Sequence, residues 1–177
     1  MQKANPTTAS GKGMETIYTP ITKENLSHVI MLAHRMWPVS YEGILTPEQI
    51  NNMLMRIYTH ENLQSEMQQG HEFWVAYNDI KPVGYASAYK DDDSIWVKKL
   101  YVDPSMQGKG IGVRLLHSAV SALLPAGDIR LLANPHNIPA HNFYIHLGFR
   151  KIAEVPVQMG DWHFNDFMFS MPLTDEG

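Results

Sequence analysis

A glycine-rich segment, Gln107 to Gly112, constrains the fold of this chain more than any other feature. It follows a predicted strand, Ile95 to Val102, and opens a predicted helix with an apolar face. Three alternating glycines let the backbone approach a ligand closely, and the helix N-terminus adds positive potential that suits a phosphate or pyrophosphate. The spacing fits neither GxGxxG nor GxxxxGK[ST], which argues against a dinucleotide fingerprint or a nucleoside-triphosphatase loop. The alternative to a ligand-binding loop is a tight turn whose backbone needs positive φ angles for structural reasons alone.

The elements around this segment predict a mixed sheet. The strand 95–102, the helix after Gly112 and the strand 129–133 have the spacing of a βαβ crossover with two parallel strands. Further strands are predicted at 15–21, 71–77, 83–90, 149–157 and 162–171, and further helices at 22–37, from Thr46, at 61–69 and at 138–147, with Pro38 ending the first. We therefore expect one α/β domain over residues 14–177, with about seven strands and about four helices, after a flexible leader at 1–13.

Composition narrows the class of protein. Hydrophobic residues make up 44% of the 177 residues and charged residues 18%, which excludes a disordered chain. The net charge of -4 argues against nucleic acid or an anionic membrane surface as a partner. Without cysteine there is no disulfide and no thiolate nucleophile. The sequence has neither a signal peptide nor a long apolar run, so we expect a soluble, cytoplasmic protein.

Two further motifs flank the crossover. Leu100-Tyr101-Val102-Asp103-Pro104 precedes the glycines, and the segment 137–149 follows one crossover later. Together they resemble the GNAT superfamily of N-acetyltransferases. The pattern Gln107-x-x-Gly110-x-Gly112 is similar to the family's acetyl-CoA pyrophosphate loop, and Asn137, Ala140, Phe143-Tyr144 and Gly148-Phe149 are similar to its second signature.

The resemblance implies direct transfer of an acetyl group from acetyl-CoA to a primary amine, without an acyl-enzyme. Acetyl-CoA is expected in a wedge where two parallel strands splay apart near Val102 and Asn134. The backbone N–H of Val102 is expected to polarise the acetyl carbonyl, and Tyr144 to donate a proton to the leaving thiolate. The expected cofactor-binding residues are Leu100, Val102, Gln107, Gly108, Lys109, Gly110, Ile111, Gly112 and Asn137.

Each of these roles has a simpler alternative. Tyr144 could pack in the core, Asn137 could cap the helix that starts at Ile138, and Lys109 could be an exposed loop charge. The general base is open, because the strand before the glycines carries no acid. The candidates are Glu42, Glu72 and His136, or a chain of water molecules. Histidines 136, 141 and 146 recur every five residues, which argues against a metal site.

The acceptor pocket is expected from the loop after the first helix, the strand faces and the C-terminal hairpin. Its candidate residues, Trp37, Tyr41, Glu42, Trp74 and Tyr85, are mostly aromatic. Such a lining would suit a small cationic amine through cation–π contacts, while the alternative is a hydrophobic surface of a homodimer. The sequence thus predicts acetylation of a small-molecule amine. Two alternatives stay open: a peptide or protein amine as acceptor, and a CoA-binding regulator without turnover.

Overall fold

The computed structural model describes residues 15–174 and is built on one seven-stranded sheet. The sheet order is β1-β2-β3-β4-β5-β7-β6. The predicted mixed α/β sheet is confirmed, and the predicted leader at 1–13 lies outside the described residues. The strands are β1 Thr16–Pro20, β2 Glu72–Asn78, β3 Lys81–Asp91, β4 Ser94–Val102, β5 Asp128–Ala133, β6 Arg150–Met159 and β7 Trp162–Pro172.

The described residues form five α-helices, one more than the expected four. Thr46 caps the second helix in a full capping box with Gln49, as the sequence pattern indicates. The first helix begins later than predicted and continues through Pro38, so the prediction that this proline ends it was wrong. The helices are α1 Leu26–Ser40, α2 Pro47–Ile57, α3 His60–Gln68, α4 Ile111–Ser121 and α5 Ile138–His146.

Alternation along the strands gives the sheet two apolar faces. Phe73, Val75 and Tyr85 pack with α1, α2 and α3 in one core. Ala76 and Ala86, on the opposite face, pack with α4 and α5 in the other. The sheet therefore separates an α1–α3 side from an α4–α5 side. Within residues 15–174, no helix is long and apolar enough to cross a membrane.

Candidate active site

The sheet opens in the middle, between its two parallel strands. β4 and β5 pair from Ser94 with Asp128 to Val97 with Leu131, and the ladder ends there. Both strands continue, β4 to Val102 and β5 to Ala133. On the other edge of β4 the register with β3 shifts at the same level, since Ala88 pairs with Val97 and Ser87 with Lys99. Lys98 is therefore the extra residue of a β-bulge, which bends the strand where the wedge begins.

The backbone of Val102 is oriented toward this wedge. The N–H of Asp103 donates to the carbonyl oxygen of Val83 on β3 at 2.8 Å. Because successive N–H groups of a strand point to opposite edges, the N–H of Val102 faces away from β3 and toward the side from which β5 has diverged. This orientation supports the expected role as a donor to an acetyl carbonyl.

The glycine loop leads from this point into α4. Gly108 and Gly110 adopt φ angles of 76° and 78°, a left-handed conformation that glycine tolerates best. Glycine is needed at position 112 for a different reason, because a Cβ there would lie 3.3 Å from the ring of Phe143 on α5. The loop thus needs glycine twice for its backbone and once for the close approach of two helices.

A donor-side cavity of about 750 Å³ lies along this loop. It continues between α4 and α5, where Phe143 and Leu147 form part of its wall. Lys109 is exposed and does not line it; its Nζ lies 3.7 Å from Sδ of Met106. The predicted cofactor-binding residues that do line it are Leu100, Val102, Gln107, Gly108, Gly110, Ile111, Gly112 and Asn137.

Asn137 has the capping role that the sequence offers as an alternative. Its Oδ1 accepts from the N–H of Ala140 at 3.3 Å, at the start of α5. The residue also lines the donor-side cavity and its neighbour on the α1–α3 side. Capping uses the amide oxygen, so the amide nitrogen is the atom of this side chain that could donate to a ligand.

The acceptor-side cavity has a volume of about 520 Å³ and an aromatic wall. Trp37 and Tyr41 line it, and the Tyr41 hydroxyl is 2.8 Å from that of Tyr101. Tyr85 is fully buried behind this wall, and its hydroxyl donates to Tyr58 at 2.7 Å. Trp74 packs against the core on the α4–α5 side of the sheet. Neither Trp74 nor Tyr85 lines the cavity.

A buried charge cluster that the sequence analysis missed lies in the same cavity wall. Glu66 of α3 is 5% exposed, and its carboxylate oxygens lie 2.9 Å from Nζ of Lys98 and 2.6 Å from Nζ of Lys99. Burial alone would raise the pKa of Glu66, but the two lysines bring it below its usual value. Burial lowers the pKa of Lys99 to about 8 despite the carboxylate. The cluster brings an acid to β4, which carries none of its own.

The cavity has a second carboxylate, Asp166 on β7, which the sequence analysis also missed. It follows Asn165 and precedes Phe167, which pairs with Ala133 at the end of β5. Asp166 therefore lies at the mouth of the wedge. Burial raises its pKa above the usual range of aspartate.

Tyr144 connects the two cavities. It is 8% exposed and belongs to both linings, together with Leu100, Tyr101, Asn137 and Ala140. Burial raises the pKa of its phenol, so the hydroxyl stays protonated at neutral pH. Its ring packs edge-on against Phe143 and Phe149, which fixes its position. A protonated, positioned hydroxyl at the junction of two cavities can serve as a general acid.

The three residues suggested as bases lie elsewhere. Glu42 is exposed after α1, His136 is exposed before α5, and Glu72 is half-buried on β2; none lines either cavity. Their role as bases stays a prediction. Residues 15–174 contain no group of three His, Asp or Glu side chains arranged to hold a metal ion.

Comparison with known proteins gives the family. The family model for the acetyltransferase (GNAT) domain matches residues 69–151. A probable N-acetyltransferase of Mycobacterium tuberculosis is 30% identical over 121 residues, which are 66% of this chain and 69% of that protein. A spermidine N(1)-acetyltransferase of Thermoplasma acidophilum is 26% identical over 134 residues, 72% of this chain and 83% of that protein. An uncharacterized N-acetyltransferase of Mycobacterium bovis is 30% identical over 102 residues, which are 56% of this chain and 65% of that protein. The chain thus spans slightly less than two thirds of that relative.

Solved structures show the same fold. PaiA N-acetyltransferase from Thermoplasma acidophilum, crystallised in complex with coenzyme A, superposes with a TM-score of 0.79 at 23% identity, over 90% of this chain and 100% of that one. The ribosomal-protein-S18-alanine N-acetyltransferase from Escherichia coli gives 0.69 at 16% identity, over 92% and 97%. The chain belongs to the GNAT family of N-acetyltransferases, a family that uses acetyl-CoA.

Proposed function

We propose that this protein transfers an acetyl group from acetyl-CoA directly to a primary amine of a small molecule. The observation that carries the proposal is the junction of the two cavities at Tyr144. One cavity follows a loop of backbone amides and glycines suited to a pyrophosphate, and the other has an aromatic wall with charged groups. A donor and an acceptor could thus meet beside one phenol.

The chain's own groups would divide the work of acyl transfer. The amine nitrogen attacks the thioester carbonyl carbon while the N–H of Val102 stabilises the developing negative charge on oxygen. The carbon–sulfur bond breaks, and the Tyr144 hydroxyl donates its proton to the departing thiolate. The amine loses one proton to a base or to water, and the Tyr144 phenolate recovers a proton from solvent. Because the acceptor binds beside the thioester, much of the acceleration would come from orientation.

The size of the acceptor-side cavity supports a small molecule. Its volume of about 520 Å³ falls within the range of about 300–1,000 Å³ that is typical of small-molecule sites. The similarity to a spermidine N(1)-acetyltransferase supports a cationic amine within that class.

Release of free CoA thiol from acetyl-CoA, followed with a chromogenic disulfide across a panel of amines, tests the proposal. We expect amine-dependent thiol release, with acetylated amine found by mass spectrometry, and a large loss of turnover in Tyr144→Phe. Acetylation of peptide N-termini but of no small amine would favour the protein-amine alternative. Tight CoA binding with no turnover for any amine would favour the regulator.

A further inference from the structure

The acceptor-side cavity has two acids, and the described residues 15–174 neutralise only one of them. Glu66 is bound by Lys98 and Lys99 at 2.9 and 2.6 Å. Asp166 makes no ion pair and no side-chain hydrogen bond with any residue in the range 15–174. A half-buried carboxylate without a partner is costly, and a bound cation would offset that cost.

The basic groups in the same cavity wall are engaged elsewhere. Lys98 and Lys99 hold Glu66, and Nε of Arg56 donates to Oδ1 of Asn52 at 2.7 Å. The guanidinium of Arg56 also packs against Gly160, where an added Cβ would lie 3.0 Å from its Cζ. These contacts keep the protein's own cations from Asp166.

The surroundings of Asp166 also suit a cation. Burial raises the pKa of the Tyr41 phenol, and the negative charge of the nearby Asp166 raises it further. Tyr41 packs against Trp37 with ring centroids 4.8 Å apart, and Phe164 lies in the same wall two residues before Asp166 on β7. Aromatic faces beside a carboxylate attract an ammonium group by cation–π and ion-pair contacts together.

We propose that Asp166 binds a second ammonium group of the acceptor, so that the enzyme selects diamines and polyamines over monoamines. This rests on the proposed function. The nitrogen that attacks must be neutral, so the lasting positive charge opposite Asp166 belongs to another nitrogen of the same molecule. Asp166 is then a specificity-determining residue, and the wall of Trp37, Tyr41 and Phe164 surrounds the second ammonium.

The kinetic test compares 1,4-diaminobutane with pentylamine, which has a methyl group in place of the second ammonium. We expect Asp166→Asn to raise KM for the diamine by about 10- to 100-fold, the range for a lost hydrogen bond to a charged group, with little change in kcat. The parameters for pentylamine should not change. Asp161→Asn is the matched control, because it removes one negative charge from the exposed turn of the same β6–β7 hairpin.

Two kinetic results would overturn the proposal. An equal loss for both amines would assign Asp166 to proton removal or to structure, and an unchanged diamine KM would remove it from recognition. Calorimetry of 1,4-diaminobutane with the CoA-saturated protein gives an independent readout. Diamine binding that is weakened by Asp166→Asn but not by Asp161→Asn supports the proposal. If such binding is seen while no amine is acetylated, the role of Asp166 stands and only the proposed function fails. Equal binding by both variants refutes the role of Asp166.

Discussion

Replacing Glu66 with glutamine measures how strongly the buried charge cluster stabilises the fold. The side chains of Glu66 and Lys99 are 7% and 3% exposed, and their charged atoms are 2.6 Å apart. Removing one partner of a buried pair typically costs about 3–5 kcal/mol, because the other charge is left uncompensated. We expect the lower end, about 3 kcal/mol, because the amide oxygen of glutamine still accepts a hydrogen bond from Lys99.

Urea unfolding followed by fluorescence of the four tryptophans would measure this loss. Glu154→Gln is the matched control, because it breaks an exposed pair with Lys151 that has a similar distance of 2.7 Å. Exposed pairs contribute about 0.2–1 kcal/mol. The double variant Glu66→Leu/Lys99→Met removes both buried charges and should recover most of the stability. An equal, small loss in Glu66→Gln and Glu154→Gln would refute the reasoning.

The same variant should respond to pH in a defined direction. Lys99 has a native pKa of about 8, below its value in an unfolded chain, so the unfolded state binds more protons and stability rises with pH above about 8. Without the Glu66 carboxylate the native pKa of Lys99 falls further. In the variant the rise in stability with pH then begins at a lower pH than in the wild type. The difference in unfolding free energy between wild type and Glu66→Gln should therefore narrow as the pH approaches about 8.

Three other changes test single features of the structure. Tyr144→Phe should lower kcat by about 10²–10⁴-fold and leave acetyl-CoA affinity unchanged, and a kcat close to wild type would exclude the general acid. Gly110→Ala should weaken acetyl-CoA binding in calorimetry. Gly43→Ala is its control, because Gly43 has a similar φ of 74° but lies outside the glycine loop. Each substitution should destabilise the fold by about 1 kcal/mol, but Gly43→Ala should leave binding intact. Burial lowers the pKa of His71, the residue before β2, to about 4. Stability should therefore fall from pH 6.5 toward 4, and His71→Phe should remove up to about 3 kcal/mol of that loss in acid-unfolding curves.

Features that depend on short segments could be predicted from the sequence. The strand, glycine loop and helix from Ser94 to Ser121 are contiguous, so their pattern identifies them without knowledge of the rest of the fold. Strand alternation also determines which side of the sheet Trp74 faces. Phe73 and Val75 face the α1–α3 side, so Trp74 between them faces the other side and cannot reach the acceptor-side cavity.

The positions of the two cavity carboxylates could not be predicted from the sequence, because they depend on contacts between distant segments. Glu66 approaches Lys99 across 33 residues, and the register of β7 with β5 determines where Asp166 lies. A local signal existed in each case, since Glu66 shares a helical face with Leu63 and Asp166 shares a strand face with Phe164 on β7. An acid within an apolar pattern indicates a buried charge, but its partner depends on the tertiary fold.

Proton removal from the acceptor is the step with the least support from side chains. An alkyl amine with a pKa near 10.4 is almost entirely protonated at neutral pH. Glu42 and His136 are exposed outside both cavities, and the lysines that lower the pKa of Glu66 make it a weak base. Asp166 lies in the acceptor-side cavity, but we assign its charge to the second ammonium group of the acceptor. We therefore expect kcat/KM to rise with pH toward the pKa of the amine itself, and this inflection to move when a less basic amine is used. An acid-side inflection that stays fixed for both amines would show an enzymic base, which Glu42→Gln, Glu72→Gln, His136→Gln and Asp166→Asn would then locate.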